Sequence, residues 1–349
     1  MNKPILKSLK VFLLLAFLVP TTVSAQDQIA NFLQGNVNDA KKLGTAYLEP
    51  FGKSLGASLN GGWYQAARPH KLLGFNVTLV ASVVTIPSDV KNFDVSKLSL
   101  QNLELVDPSK KMAPTVAGAS SDGPAVRFKD NNSLQFNLPK GANLPFVPMT
   151  MLQAGIGLPF HNELTVRYLP SVNIPKSGRV SLWGVGVKNE FKEFIPGLKL
   201  IPIDLSIMLG YTKFSSEFDV SFKPGAGELS PTSSYQLSDF NGQKLALDAS
   251  SFTTRLLVGK TIPFLSVYAG IGYSQAFTEF GLKGNYAVGL DKPYEDEDIK
   301  KDPILLEFPY SGFSANAGLR LRLGVISINF DYTLGQYALY SAGLGISFR

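Results

Sequence analysis

From Ala338 to Phe348 the chain alternates with period two. Tyr340, Ala342, Leu344, Ile346 and Phe348 face Ser341, Gly343, Gly345 and Ser347. A strand places successive side chains on opposite faces, so one face here is apolar and the other small and polar. Ile326–Thr333 repeats the pattern, with Ser327, Asn329, Asp331 and Thr333 on the polar side. So do Phe313–Leu323 and Ile203–Tyr211. The pattern predicts ten strands, at about 74–86, 149–158, 162–170, 178–188, 202–214, 245–260, 264–280, 312–323, 325–334 and 338–348.

A soluble sandwich also alternates, so the chemistry of the polar face has to decide. It carries Gly, Ser and Asn with isolated Arg and Asp, and few of the Lys and Glu that solvate an exposed sheet. The apolar face ends in aromatics: Tyr211, Tyr273, Tyr332, Tyr340 and Phe348. Alternating segments of about ten residues bounded by aromatics are the signature of a transmembrane barrel, apolar outside and polar within. Link lengths agree. The short links 159–161, 261–263 and 324 fall at one end, and the long links 87–148, 215–244 and 281–311 at the other, where Gly335–Tyr337 is a short exception. Outer-membrane barrels have short periplasmic turns and longer outer loops. The fold class is therefore all-β, a transmembrane antiparallel barrel of 10–14 strands. The range reflects 87–148, where Lys97–Val106 and Ala125–Leu138 are strand-like. They form an external hairpin or join the wall in pairs. The longer inner link 188–201 holds one or two helical turns.

The first 25 residues read as a secretory leader: Lys3, Lys7 and Lys10, then the apolar run Val11–Val19, then Val23-Ser24-Ala25, with cleavage after Ala25. The run is too short to span a bilayer as a helix. Its three lysines supply half of the formal net charge of +6. No basic cluster remains to suggest nucleic acid. The chain has no Cys, so disulfides and a lipid-modified cysteine are excluded.

Residues 26–73 precede the barrel, which occupies 74–349. Ile29–Leu33 and Val37–Leu48 read as short helices. Then comes PFGKSLGASLNGGWYQAARPHKLLG, from Pro50 to Gly74. A barrel of this size has a lumen that its own side chains do not fill, and this segment reads as a helical and glycine-rich plug folded back from the periplasm. Gly52, Gly56, Gly61 and Gly62 permit close approach to the wall. Trp63 and Tyr64 fill volume, and Arg68 or Lys71 pairs with lumen acids. The alternation turns Arg167, Asp204, Arg255, Arg320, Arg322 and Asp331 inward. These charges either form a substrate site or pair with one another and the plug to hold the shape.

Catalytic readings find little support. Only two histidines exist, His70 and His161. One lies in the plug and the other in a turn, neither beside a serine on a strand. No metal site is expected, because histidines are too few for zinc. The acidic run Tyr294–Asp298 lacks the spaced ligands and Gly of a calcium loop. No cofactor motif is present, since the G-x-G pairs lie inside strands and open no helix.

SAGLGISF, from Ser341 to Phe348, resembles the C-terminal signal read by the outer-membrane barrel-assembly machinery. The matching residues are Ser341, Gly343, Ile346 and Phe348, and Arg349 after the aromatic departs from the pattern. The stretches LGASLNGGWYQAARPHKLLGFNVTL, MLQAGIGLPF, LWGVGVKNEFKEFIPGLKLIPIDLSIMLGYTKF and LLVGKTIPFLSVYAGIGYS resemble an uncharacterised Bacteroidota family of unknown function. That resemblance implies a barrel in the outer membrane of a Gram-negative bacterium, with membrane lipid and the assembly machinery as partners, and no activity. The plugged architecture is similar to that of long-chain fatty-acid transporters, without a shared motif. Two roles stay open: passive passage or binding of a small, apolar molecule, and a closed structural or surface-interaction barrel.

Overall fold

The computed structural model describes residues 37–130, 134–174, 178–288 and 292–348. The leader and the helix expected at 29–33 lie outside them. Ten strands form the wall, numbered here in chain order: β1 Phe75–Thr85, β2 Phe146–Leu158, β3 Asn162–Ile174, β4 Gly178–Asn189, β5 Asp204–Asp219, β6 Lys244–Thr261, β7 Leu265–Lys283, β8 Leu305–Leu323, β9 Ile326–Leu334 and β10 Leu339–Phe348. Each pairs antiparallel with its sequence neighbours, and the sheet closes on itself. At the seam β1 lies between β10 and β2, with Phe75 opposite Phe348 on one side and Ile156 on the other. Closure leaves no unpaired edge.

Several strands outrun the sequence expectation at their outer ends. β5, β6, β7 and β8 continue as ladders, with Glu217 opposite Ala246 and Gly281 opposite Leu305. In β8 the alternation persists there with the apolar face turned inward, Leu306, Phe308 and Tyr310 being buried and Glu307 and Ser311 exposed. Residues 86–145 add no wall strands. They build an outer lobe of small sheets, one pairing 92–94 with 112–114 and the other combining 103–105, 125–128 and 135–137. A second outer lobe joins 220–243 to 284–304, where Phe240, Tyr294 and Ile299 form a core. The inner link 190–203 carries two short 3-10 turns, Phe191–Phe194 and Leu198–Leu200.

The wall's exterior is apolar. Phe313, Ile271, Leu256, Phe330, Leu344 and Ile346 are all exposed. Aromatic pairs ring it: Tyr273 with Phe313 at 4.9 Å between centroids, Tyr332 with Tyr340 at 4.8 Å, and Phe75 with Phe348 at 5.9 Å.

Among the described residues a single α-helix, α1 (Val37–Ser58), lies inside the barrel. This corrects the expectation of a helix ending near Leu48, since α1 runs through Pro50 and includes Gly52 and Gly56. Helix interiors tolerate Pro and Gly poorly, at about 3 and 1 kcal/mol respectively. Packing inside the barrel outweighs that local preference. A ten-stranded cylinder at a strand spacing of about 4.8 Å and a tilt of about 40° has a backbone radius near 10 Å. A helix about 10–12 Å across fits there only where facing residues are small. A Cβ at Gly52 would stand 2.5 Å from the Phe308 ring, and one at Gly56 would stand 2.8 Å from Ala276.

The direction of the plug is also corrected. The first turn of α1 sits among the lobes at the end of the long links, not at the end of the short turns. Asp39 accepts backbone N–H bonds from Gln101, Asn102 and Leu103 at 2.7–3.0 Å. The chain descends as helix to Ser58, continues without regular structure, and reaches the inner end of β1 at Phe75. The segment threads the whole lumen from the outer mouth to the inner one.

Candidate functional site

The lumen is filled in two chemically distinct halves. Around α1 the wall is apolar. Leu55 and Leu59 pack with Val80, Met149, Met151, Val180, Leu182, Phe214 and Leu247. Inward positions of β1, β2 and β4–β6 supply these residues, so here the barrel interior is a hydrophobic core. Above it, Leu43 packs with Val95, Leu103, Ala113 and Val126 of the outer lobe. Tyr47 donates its hydroxyl to the Lys140 carbonyl at 3.0 Å.

Below Ser58 the junction turns polar. Arg167, on the inward face of β3, is fully buried. It donates to the Leu59 carbonyl at 2.9 Å, to the Gly61 carbonyl and to Gln153 Oε1 at 3.0 Å. Its guanidinium carbon lies 3.6 Å from the centroid of the Trp63 ring. Trp63 sits in a slot made by wall glycines, since a Cβ at Gly186 or Gly210 would come within 2.8 or 2.6 Å of the indole. Gly62 takes the left-handed conformation, φ +69°, and its backbone abuts Val80. Glycine is needed there on both grounds.

One turn lower, the Tyr64 hydroxyl donates to Asn316 Oδ1 at 2.8 Å. Asn316 donates to Asp331 Oδ2 at 2.7 Å, and Thr333 donates to Asp331 Oδ1 at 3.1 Å. Tyr268 packs edge-on against Tyr64. At the inner mouth Arg68 places two N–H groups on Asp204 Oδ1, at 3.0 and 2.7 Å. Lys192 stands 3.5 Å from Glu190 and 3.8 Å from Asp204. Lys188 pairs with Glu163 at 3.2 Å and donates to the Ala66 carbonyl at 3.1 Å. The His70 backbone N–H donates to Glu163 Oε2 at 2.9 Å.

The structure thus brings Trp63, Tyr64, Arg68, Arg167, Asp204 and Asp331 into one plug–wall junction. Arg255 lies inward and higher, donating to the Ser314 carbonyl at 3.4 Å. Arg320 is buried, with its Nε unbonded among the described residues. Arg322 is set apart at the inner rim, bonded to the Pro263 carbonyl at 3.2 Å. Glu163, Lys188, Gln153 and Asn316 belong to the junction and were missed. Strand parity could have found them, because Glu163 shares the inward parity of Arg167 and faces Lys188 in register. On β10, Ser341 and Gly343 point inward, Ile346 and Phe348 outward. Ser341 shares a hydroxyl hydrogen bond with Ser82 across the seam. The acidic run is committed internally. Asp296 accepts from the hydroxyls of Ser233 and Ser234 at 2.6 Å, and Asp298 accepts from the Glu295 N–H at 2.9 Å.

Residues 2–348 match the "Family of unknown function (DUF6588)", and the chain belongs to that family. No curated protein matches it. Among solved structures it is similar to Ail, the attachment invasion locus protein of Yersinia pestis, in complex with the heparin analogue sucrose octasulfate. That match has 9% identity and a TM-score of 0.26, covering 79% of this chain and 99% of the other. It is similar to the translocator domain of the autotransporter NalP from Neisseria meningitidis, at 10% identity and a TM-score of 0.28, covering 87% and 96%. The CymD monoaromatic hydrocarbon channel matches at 9% identity and a TM-score of 0.23, covering 80% and 88%. Likeness this loose carries no argument about ligand or role.

Proposed function

We propose that this chain is an outer-membrane barrel held closed by its own N-terminal segment, and that it works at its outer face rather than as an open pore. The observation that carries the reading is the apolar core between α1 and the wall. A plug that leaves must expose this surface to water, at about 25 cal/mol per Å² of apolar area. Displacing α1 therefore amounts to unfolding a core. The apolar, aromatic-ringed exterior supports placement in a bilayer. No helix among the described residues is long and apolar enough to cross a membrane, so the strands would do so. The outer lobes, both packed on α1, form the surface available to partners. Ser341, Gly343, Ile346 and Phe348 serve as the signal for the barrel-assembly machinery in this reading.

Planar-bilayer conductance tests it. The intact protein should be silent, and a variant lacking 37–71 that still shows heat-shifted gel migration should conduct. Stable conductance by the intact protein overturns the closed reading. A second reading, passage of a small molecule, is favoured by the polar lower half of the plug. Buried groups there, Gln65 Oε1 and Trp63 Nε1 on the plug and Asp204 Oδ2 on the wall, lack hydrogen-bond partners among the described residues. Uptake of a small apolar solute by vesicles carrying the intact protein would favour that reading.

A further inference from the structure

The inner end of the barrel is apolar and basic at once. Every link at that end exposes large apolar side chains: Phe160 between β2 and β3, Phe194, Ile195 and Leu200 between β4 and β5, Phe264 between β6 and β7, and Val325 between β8 and β9. Phe160 is 77% exposed and Leu200 87%. Such turns are normally polar, so this surface needs an occupant. It is continuous with the apolar wall, because Leu158 leads into Phe160, and Leu323 and Ile326 flank Val325, all of them exposed.

Charge narrows the choice. Lys71, Lys199 and Lys260 are exposed, and Arg322 is half-buried at the same rim. Glu163, Glu190 and Asp204 are buried against plug and wall cations, and the sequence places one further acid, Glu193, in the same link as Lys199. With Glu193 set against Lys199, the basic excess of the rim rests on Lys71, Lys260 and Arg322. The 190–203 link is also held in place rather than collapsed. Lys192 donates to the Ile203 carbonyl at 2.6 Å, Asn189 donates to the Phe160 carbonyl at 3.2 Å, and Phe194 packs edge-on against His161. Its apolar residues are presented outward by a braced backbone.

We propose that this rim is a lipid anchor. Phe194, Ile195 and Leu200 enter the headgroup and acyl boundary of the leaflet bordering the inner end, while Lys71, Lys260 and Arg322 meet anionic phospholipid phosphates. Apolar insertion combined with basic attraction is how interfacial segments hold a membrane surface. The proposal rests on the membrane-barrel reading above.

The absence of cysteine allows a clean test. Single spin labels are placed through Leu200→Cys, Leu256→Cys in the wall and Asp107→Cys on the outer lobe, in the full chain reconstituted into vesicles. Vesicles are phosphatidylcholine alone or with phosphatidylglycerol, and collisions with oxygen and with a water-soluble nickel chelate are compared. The label at 200 should collide with nickel several-fold less than the label at 107. It should sink further when phosphatidylglycerol is added, and salt should reverse that shift. Equal nickel access at 200 and 107, with 256 protected, overturns the anchor while leaving the barrel in the membrane. Nickel access at 256 overturns the membrane reading itself. Protection at 200 that ignores phosphatidylglycerol overturns the phosphate contact.

Discussion

Arg167 and Trp63 meet at the middle of the barrel, the guanidinium stacked 3.6 Å above the indole, and among the described residues no carboxylate accepts from that cation. Backbone carbonyls of the plug and the amide of Gln153 satisfy it instead. A charge buried without a counter-ion is costly unless its hydrogen bonds are complete. The arrangement makes the wall arginine specific for one plug conformation, because only a chain bending at Gly61 and Gly62 aims two carbonyls at it.

Replacing Arg167 with Met keeps the volume, strands the Gly61 carbonyl and leaves the Leu59 carbonyl only the Thr212 hydroxyl at 3.4 Å. Each unpaired buried acceptor costs about 1–3 kcal/mol. The expected result is a lower temperature for the heat-induced gel shift, with the barrel still formed. An unchanged transition would show that the plug is not latched there.

Gly52→Ala drives a Cβ to 2.5 Å from Phe308. Overpacking of this kind costs about 1–3 kcal/mol. Shortening the partner should relieve it, so Gly52→Ala with Phe308→Leu should be more stable than the two separate losses predict. Simple additivity in thermal melts would place α1 elsewhere than against β8.

The threading direction puts Asn38, exposed in the first turn of α1, at the outer mouth. In cells, a membrane-impermeant maleimide should label Asn38→Cys without permeabilisation. Labelling only after the outer membrane is breached would reverse the proposed orientation.

Two carboxylates outside the wall predict opposite pH responses. Hydrogen bonds from Ser233 and Ser234 hold Asp296 below the ordinary carboxylate range. Its folded form binds a proton more weakly than the unfolded form. The stabilisation is therefore present above the unfolded pKa and lost as pH falls through the lowered folded one. Acid should loosen the outer lobe at 233–234, measured by amide exchange, and Asp296→Asn should abolish the response. Burial and the neighbouring Asp204 raise Glu190 instead. A raised folded pKa reverses the sign: this contribution is full below the ordinary carboxylate value and declines as pH rises through the raised one. Glu190→Gln should flatten stability across that window, and an unchanged pH profile would remove Glu190 from the account.

The wall was legible in the sequence because alternation is a local property. Period two marks a strand wherever one face meets lipid or core, so all ten strands, the even count and the two classes of link could be read along the chain. Inward positions followed from the same parity, which turned Asp204 and Asp331 toward the lumen without naming their partners. Tertiary structure decided what local pattern cannot carry. Pro50, Gly52 and Gly56 argue against a helix, yet packing against the closed wall stabilises one there, and the missing side chains of Gly52 and Gly56 let it approach Phe308 and Ala276. Partners of the plug lie far along the chain, with Tyr64 bonded to Asn316 and Arg68 to Asp204. Nothing local encodes which carbonyl Arg167 will find. Direction, too, belonged to the fold: glycine-rich chain before β1 can fill a lumen from either side, and only the capture of Asp39 by the outer lobe sets which end enters first.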